Sequence, residues 1–236
     1  MLPEIDSTNA EAQRRAASFG GPVWILALRQ THGRGRRGRA WHDPEGNFAA
    51  TYLSRPDGPA DQVALRSFVA ALALHEALVQ VTGRPEAFAL KWPNDVLLNG
   101  GKLAGILLES IGQRGGVGYL AIGIGVNLRA APDAEPGAVP PVGLMSETGC
   151  SVAPEEFLDL LAPAYARWEA QLATYGFGPI RTAWLDRAAR LGAQITARTA
   201  GAEETGTFEG IDASGALVLR TATGRRSIPA ADVYFS

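Results

Sequence analysis

Gln30-Thr-His-Gly-Arg-Gly-Arg-Arg-Gly-Arg-Ala-Trp41 sets four arginines, Arg34, Arg36, Arg37 and Arg39, among three glycines, Gly33, Gly35 and Gly38. Glycine opens backbone conformations closed to other residues, and arginine presents a rigid fork of donors matched to phosphate and carboxylate oxygens. A pliable backbone with that much positive charge is ill suited to a core and well suited to closing over an anion. The plain alternative is a solvated basic loop. The same letters also spell Gly33-x-Gly35-x-x-Gly38, the spacing of a dinucleotide-binding turn, which needs a strand before it and a helix after it. Val23 to Leu28 supplies the strand, but Pro44 and Gly46 break any helix that follows. The stretch therefore reads as an anion-closing loop, outside a doubly wound dinucleotide fold.

The 236 residues leave room for one large domain, or for a medium one with a small appendix. An apolar fraction of 46% and a net charge of -2 describe an ordinary globular chain. The positive charge at 34–39 is thus local, and no global basicity points to nucleic acid. Cys150 is the single cysteine, which excludes an intrachain disulfide and a multi-cysteine metal site. The scattered His32, His42 and His75 argue against zinc. The N-terminus shows neither the basic start nor the apolar run of a signal peptide, and no stretch is expected to reach transmembrane length. A cytoplasmic enzyme or binding protein is the expectation. Of 22 Lys plus Arg, only Lys91 and Lys102 are lysine. An ammonium on a flexible stem differs chemically from a guanidinium fork, so these two mark a second stretch of interest.

Taken in order, Thr8 and Glu11 fit a capping box opening a helix after Asp6-Ser7-Thr8-Asn9, and a helix N-terminus also offers donors to a polar ligand. Asn47 to Leu53 reads as a strand returning from the arginine loop. Ala64 to Val81 reads as a buried helix, apolar all round. In Leu90 to Glu109, Asn99-Gly100 between apolar runs is a hairpin turn, so Lys102 begins the second strand. Gly105 within it marks close approach by a ligand or another backbone. Pro93 keeps Trp92 extended and leaves Asn94 and Asp95 at a strand entrance. Gly116 to Val126 forms another strand, in which Gly123 and Gly125 mark a bulge, a close strand crossing or room for a bound molecule. Residues 130–150 form a surface excursion. Glu155 to Tyr175, bent at Pro163, and Pro179 to Leu191 are amphipathic helices. From Ala193 the chain turns to short strands, Gln194–Ala200, Glu204–Gly210, Ala216–Arg220 and Arg225–Ile228. These make a small barrel that is expected to dock on the larger domain.

Four segments, Asp6-Ser-Thr-Asn9, Gln30 to Arg39, Lys91-Trp-Pro-Asn-Asp95 with Gly101-Lys-Leu-Ala-Gly-Ile-Leu-Leu-Glu109, and Gly123-x-Gly-Val-Asn127, occur in the order and spacing of the biotin protein ligases, and the chain resembles that family over nearly its whole length. The resemblance implies an α+β fold: a mixed β-sheet with packed helices, the class II synthetase-like catalytic domain at 1–190, and a small C-terminal SH3-like β-barrel at 191–236. It also implies two half-reactions, formation of biotinyl-5′-AMP from biotin and Mg-ATP, and transfer to a lysine of a carrier domain. Ser7, Thr8, Asn9 and Gln30 would contact the biotin ring and its ureido group. Gly33, Arg34, Gly35 and Arg36 would cover biotin, with Gly123 and Gly125 making room beneath. Lys102, helped by Arg34 and Arg36, would stand between biotin's carboxylate and the α-phosphate. Arg36, Arg37, Arg39, Asn94, Asp95, Lys102 and Asn127 would address the adenylate, with Trp41 beside the adenine. No metal site of the protein's own is implied; Mg2+ would arrive with ATP, near Asp95.

The partners implied are biotin, ATP and a biotin carboxyl carrier domain of acetyl-CoA carboxylase or a related carboxylase, with no nucleic acid and no membrane; a homodimer is compatible. The sequence departs from the family pattern at His32 in the loop and at Ala231-Asp232-Val233, which lacks a family glycine; neither departure is expected to touch a catalytic role. Many relatives begin with an operator-binding winged helix, and the six residues before Ser7 suggest a ligase without a repressor function. A lipoate or octanoate ligase, a non-catalytic biotin-binding module and a nucleic-acid binder using Arg34–Arg39 are the rival readings. The first normally lacks the arginine loop, the second would release no pyrophosphate, and the third would show salt-steep binding.

Overall fold

In a computed structural model, residues 1–236 are described except 114, 115, 135–138, 200 and 236. Helix α1 (Thr8–Arg15) is capped by Ser7, whose hydroxyl accepts from the Ala10 N–H. The cap thus lies one residue before the expected Thr8, and the Glu11 carboxylate turns to Arg14 and Arg15 instead. Strand β1 (Val23–Ala27) enters the arginine loop and β2 (Phe48–Ser54) returns from it. Next come α2 (Ala60–Ala64), α3 (Arg66–Thr82), β3 (Phe88–Lys91) and β4 (Asp95–Leu98). Asn99 and Gly100 both take positive φ, 50° and 84°, the backbone that a two-residue hairpin turn requires. Beyond them run β5 (Gly101–Gln113) and β6 (Gly116–Val126).

These six strands form one sheet in the order β1-β2-β6-β5-β4-β3. Its ladders are antiparallel, and parallel pairing enters through isolated bridges such as Leu2–Ala27 and Leu90–Ala188. Directly opposed residues share a face, so register alone builds two surfaces. One face, with Phe48, Ala50, Ile122 and Ile124, packs into the main core with α3 and α5 (Pro154–Tyr175). The other carries α1 through Ala12, Ala16, Ile25, Leu53 and Ala121, and beside α1 it carries a row that crosses the sheet: Ala27, Ala49, Gly125, Gly105, Asp95, Lys91.

The expected buried helix is present, broken at Leu65 between α2 and α3. The stretch Ala60–Thr82 is long and apolar enough to cross a membrane by length and composition, contrary to the expectation drawn from sequence; 67% of its apolar window is buried in the fold. Helix α4 (Leu144–Thr148) interrupts the surface excursion, part of which falls outside the described residues. Helix α5 runs through Pro163 as one element, and α6 (Phe177–Leu185) follows, ending short of the expected Leu191.

The C-terminal segment forms a second, antiparallel sheet, in the order β10-β9-β8-β7-β11. Its strands are β7 (Gln194–Arg198), β8 (Glu203–Ile211), β9 (Leu217–Thr221), β10 (Gly224–Ile228) and β11 (Asp232–Phe235). Ala200, at the expected end of the first, lies outside the described residues. The fifth strand was not expected. Its four residues are defined by pairing with β7, not by any long apolar pattern. The Trp92 indole donates to the Gly215 carbonyl at 3.0 Å, and Ile195, Phe208 and Leu217 join the same core cluster as the first sheet. The small sheet is thereby docked.

Candidate active site

Four residues of the cross-sheet row, Gly125, Gly105, Asp95 and Lys91, line a cavity of about 1000 Å³. Every residue expected from sequence at the site lines it, except Gly33 and Arg37. Gly33 acts from behind: its carbonyl accepts from the Trp41 N–H at 2.9 Å, and a Cβ there would meet the Trp41 carbonyl at 2.6 Å. Arg37 has φ 56° and turns outward to Asp232.

Over β2 and β6 lies an uncharged, hydrogen-bonded cluster. Gln30 Oε1 accepts from the Thr8 N–H at 2.8 Å and lies 3.1 Å from Thr8 Oγ1. Thr51, fully buried, places its hydroxyl 2.8 Å from Thr8 Oγ1 and 2.6 Å from Asn9 Oδ1. Asn9 Nδ2 donates to Glu109 Oε2 at 2.7 Å, and Arg34 Nη2 lies 3.9 Å from the same oxygen. Both ends of the Asn9 amide are therefore engaged by protein, which makes it a strut for the cluster. Thr51 escaped the sequence reading because a buried threonine in a strand looks like any β-branched residue.

Over β6 and β5 lies the Trp41 ring. A Cβ on Gly125 would meet Trp41 Cζ2 and Nε1 at 2.6 Å, one on Gly105 would meet Trp41 Cζ3 at 3.2 Å, and one on Gly123 would meet Asn9 Cγ at 2.9 Å. The glycine-cleared surface thus admits Trp41 and Asn9, two side chains of the protein itself, where sequence had left open a bulge, a crossing or a bound molecule. Trp41 Nε1 is buried without a hydrogen-bond partner among the described residues, as is Asn127 Oδ1, two residues beyond Gly125 on the same face. One is a donor and the other an acceptor; both line the cavity.

Over β4 and β3 lies the ionic cluster. Asp95 is buried, with Oδ1 2.8 Å from Lys102 Nζ and Oδ2 3.5 Å from Lys91 Nζ. Burial lowers the Lys91 pKa, while the Asp95 carboxylate works against that shift. Asn94 Nδ2 donates to the Ile106 carbonyl at 2.6 Å, and its Oδ1 faces Arg36 Nη1 at 3.4 Å. Among the described residues no group of three or more His, Cys, Asp or Glu is placed to hold a metal ion. Above the floor, Arg36 and Arg39 reach Asp232, and Arg36 also reaches the Ala231 carbonyl, at 3.4 and 3.5 Å. The departure at Ala231-Asp232 thus contacts the arginine loop directly, Arg36 included.

The chain matches the model of the Biotin/lipoate A/B protein ligase family over residues 2–127, and that of the Biotin protein ligase C terminal domain over residues 191–236. The chain belongs to this family. It is 63% identical to a biotin–[acetyl-CoA-carboxylase] ligase of Paracoccus denitrificans, over 100% of this chain and 99% of that protein. It is 32% identical to the bifunctional ligase/repressor BirA of Bacillus subtilis, over 89% of this chain and 65% of that longer protein. Among solved structures, the biotin protein ligase of Aquifex aeolicus in complex with biotin and ATP superposes with a TM-score of 0.85 at 27% identity, covering 100% of this chain and 97% of that one. Within the family frame, the two matched models correspond to the two sheets.

Proposed function

We propose that the chain is a biotin protein ligase with its catalytic part at 1–190 and its barrel at 191–236. An oxygen of biotin's carboxylate attacks the α-phosphorus of ATP, the bond to the β-phosphate breaks, and biotinyl-5′-AMP and pyrophosphate form. The ε-amine of one lysine on the biotin carboxyl carrier domain of acetyl-CoA carboxylase then attacks the acyl carbon; AMP leaves and the amine loses a proton. The observation that carries this reading is the order of groups across the cavity floor. An uncharged cluster at Ser7, Thr8 and Gln30 is separated by the Trp41 ring from the ammoniums of Lys91 and Lys102, in a chain 63% identical throughout to the Paracoccus ligase.

A ureido ring is neutral and rich in donors and acceptors, so it suits the first cluster; an acyl tail would cover those polar groups without offering them any hydrogen bond, at a cost in selectivity. A carboxylate and a triphosphate repel each other, so the second cluster must supply cations to both. Lys102, about a third exposed and only loosely enclosed, is free to leave Asp95 for the reacting oxygens. Trp41 Nε1 and Asn127 Oδ1 offer the donor and acceptor that a purine edge needs. Mg2+ would arrive on the substrate phosphates; the residue that would meet it is Asp95, whose oxygens hold Lys102 and Lys91 here, so it would take the ion only once Lys102 has turned to the substrate, and the ion would then supply charge neutralisation. The protein's own part is positioning and fixed charge. The protein is cytoplasmic in this reading.

Incubation with biotin, Mg-ATP and a carrier domain tests it, read by intact mass of the carrier. One biotinyl adduct on a single lysine is expected. A lipoyl or octanoyl adduct formed as readily would give the alternative ligase, and no adduct would reject both.

A further inference from the structure

Three of the four loop arginines converge on one carboxylate of the C-terminal sheet. Arg37 Nη1 lies 2.7 Å and Arg39 Nη2 2.9 Å from Asp232 Oδ2, and Arg36 Nη1 lies 3.7 Å from Oδ1. Asp232 is 16% exposed and stands at the first position of β11, opposite Arg198 of β7. The loop spans Gly33 to Arg39, some 195 positions away in sequence. Its own internal ties are few: the Gly35 N–H donates to the Arg39 carbonyl, and the Arg39 N–H to the Arg36 carbonyl. Arg37 holds a left-handed backbone, φ 56° and ψ 27°, uncommon for a residue with a side chain. Arg37 is not among the residues lining the cavity, whereas Asp232 is, so the guanidinium meets Asp232 without itself lining the space a ligand would take.

We propose that Asp232 is a latch: a positioning residue of the barrel that holds the arginine loop shut over the cavity, and so keeps a bound acyl-adenylate from leaving or meeting water. The second clause rests on the ligase reading; the first does not. One carboxylate against three guanidiniums leaves the latch positive overall. It therefore closes the loop without neutralising the cavity roof, and Arg36 and Arg39 remain charged toward an anion beneath. Because part of each arginine is exposed, the latch should weaken with ionic strength.

Trypsin, without any ligand, tests the closure. In Asp232→Asn, nearly isosteric and uncharged, cleavage after Arg36, Arg37 and Arg39 should rise at least fivefold over wild type, and Asp232→Glu should restore most of the protection. Wild type at high salt should approach the Asn variant. Cleavage within twofold of wild type overturns the latch. So does an equal rise after Arg225 and Arg226, which would mean loosening of the barrel as a whole, or a Glu variant cut as fast as the Asn variant. The retention clause is read separately. With biotin and Mg-ATP but no carrier, Asp232→Asn should release adenylate into solution at least fivefold faster, and equal release refutes that clause. If wild type makes no adenylate, the ligase reading fails, and the latch stands or falls on the trypsin result.

Discussion

The Lys102 ammonium lies 2.8 Å from one oxygen of Asp95, while the Lys91 ammonium lies 3.5 Å from the other. Two cations share one anion, so the trio carries one net positive charge into the cavity. Lys91 is held on a buried strand end. Lys102 is the more exposed of the two and stands at the hairpin where its stem can swing. Lys102→Ala should slow pyrophosphate release by about 10²–10³-fold, in line with the ~3–4 kcal/mol lost with a transition-state donor. Lys102→Arg should not restore the rate, because a planar fork cannot take the place of a point charge. A rate within threefold of wild type for Lys102→Ala would remove Lys102 from the chemical step.

Thr51 offers a milder lesion. Thr51→Val keeps the shape but deletes the hydroxyl that lies between Thr8 and Asn9. A buried acceptor left unpaired costs about 1–3 kcal/mol, so KM for biotin should rise by roughly 5-fold to 100-fold. KM for ATP should stay within twofold, since the ionic cluster lies across the sheet. Equal rises in both constants would show general loosening instead.

Gly125→Ala inserts a methyl where the Trp41 ring lies, 2.6 Å from Nε1. Overpacking of this kind costs about 1–3 kcal/mol, or roughly 2–4 °C of Tm per kcal/mol in a chain of this size. ATP affinity should fall with it. Gly20→Ala, with nothing within 4 Å of the new Cβ, is the control, and its Tm should not move. Identical Tm values for the two variants would mean that Trp41 yields freely.

Two buried titrating groups oppose each other below neutrality. Burial raises the Asp43 carboxyl from 3.8 to about 6, partly countered by the Gln30 N–H it accepts. Between those values the folded chain keeps a proton that the unfolded chain has lost, so stability falls as pH rises. Burial, with Arg187 nearby, lowers His75 from 6.5 to about 4. There the unfolded chain takes a proton that the folded chain refuses, so stability rises with pH. Each effect is on the order of 2–3 kcal/mol, and in wild type they largely cancel. Asp43→Asn should be more stable than wild type above pH 6, and the gain should vanish toward pH 4. His75→Leu should gain relative to wild type as pH falls from 6.5 to 4. Urea midpoints at pH 4, 5, 6 and 7 check both, and differences that do not change with pH would refute the assignment.

The arginine loop, the Asn99-Gly100 hairpin, the glycine-marked strands β5 and β6 and four strands of the barrel were legible because each depends on a few neighbouring residues. Positive φ at a turn, alternation along a strand and charge density in a loop are local properties. The N-cap was misplaced by one residue for the same reason: Ser7 and Thr8 are locally equivalent caps, and only the hold of Gln30 on Thr8 breaks the tie. Helix α5 is the single element expected across Pro163; packing of Phe157, Leu161, Ala164 and Tyr165 into the core outweighs the lost N–H.

By itself, then, the sequence determined most of the strands, helices and turns and the pliable cationic loop, while the placing of Lys102 with that loop at one site came through the family resemblance. Only the tertiary structure decided what those groups touch. That the cleared glycines admit Trp41 and Asn9, that Thr51 supports the uncharged cluster, and that Asp232 gathers three arginines follow from strand register and from closing the chain over nearly 200 positions. No local preference encodes such pairings, because the free energy that selects them comes from burying both sheets against one shared core.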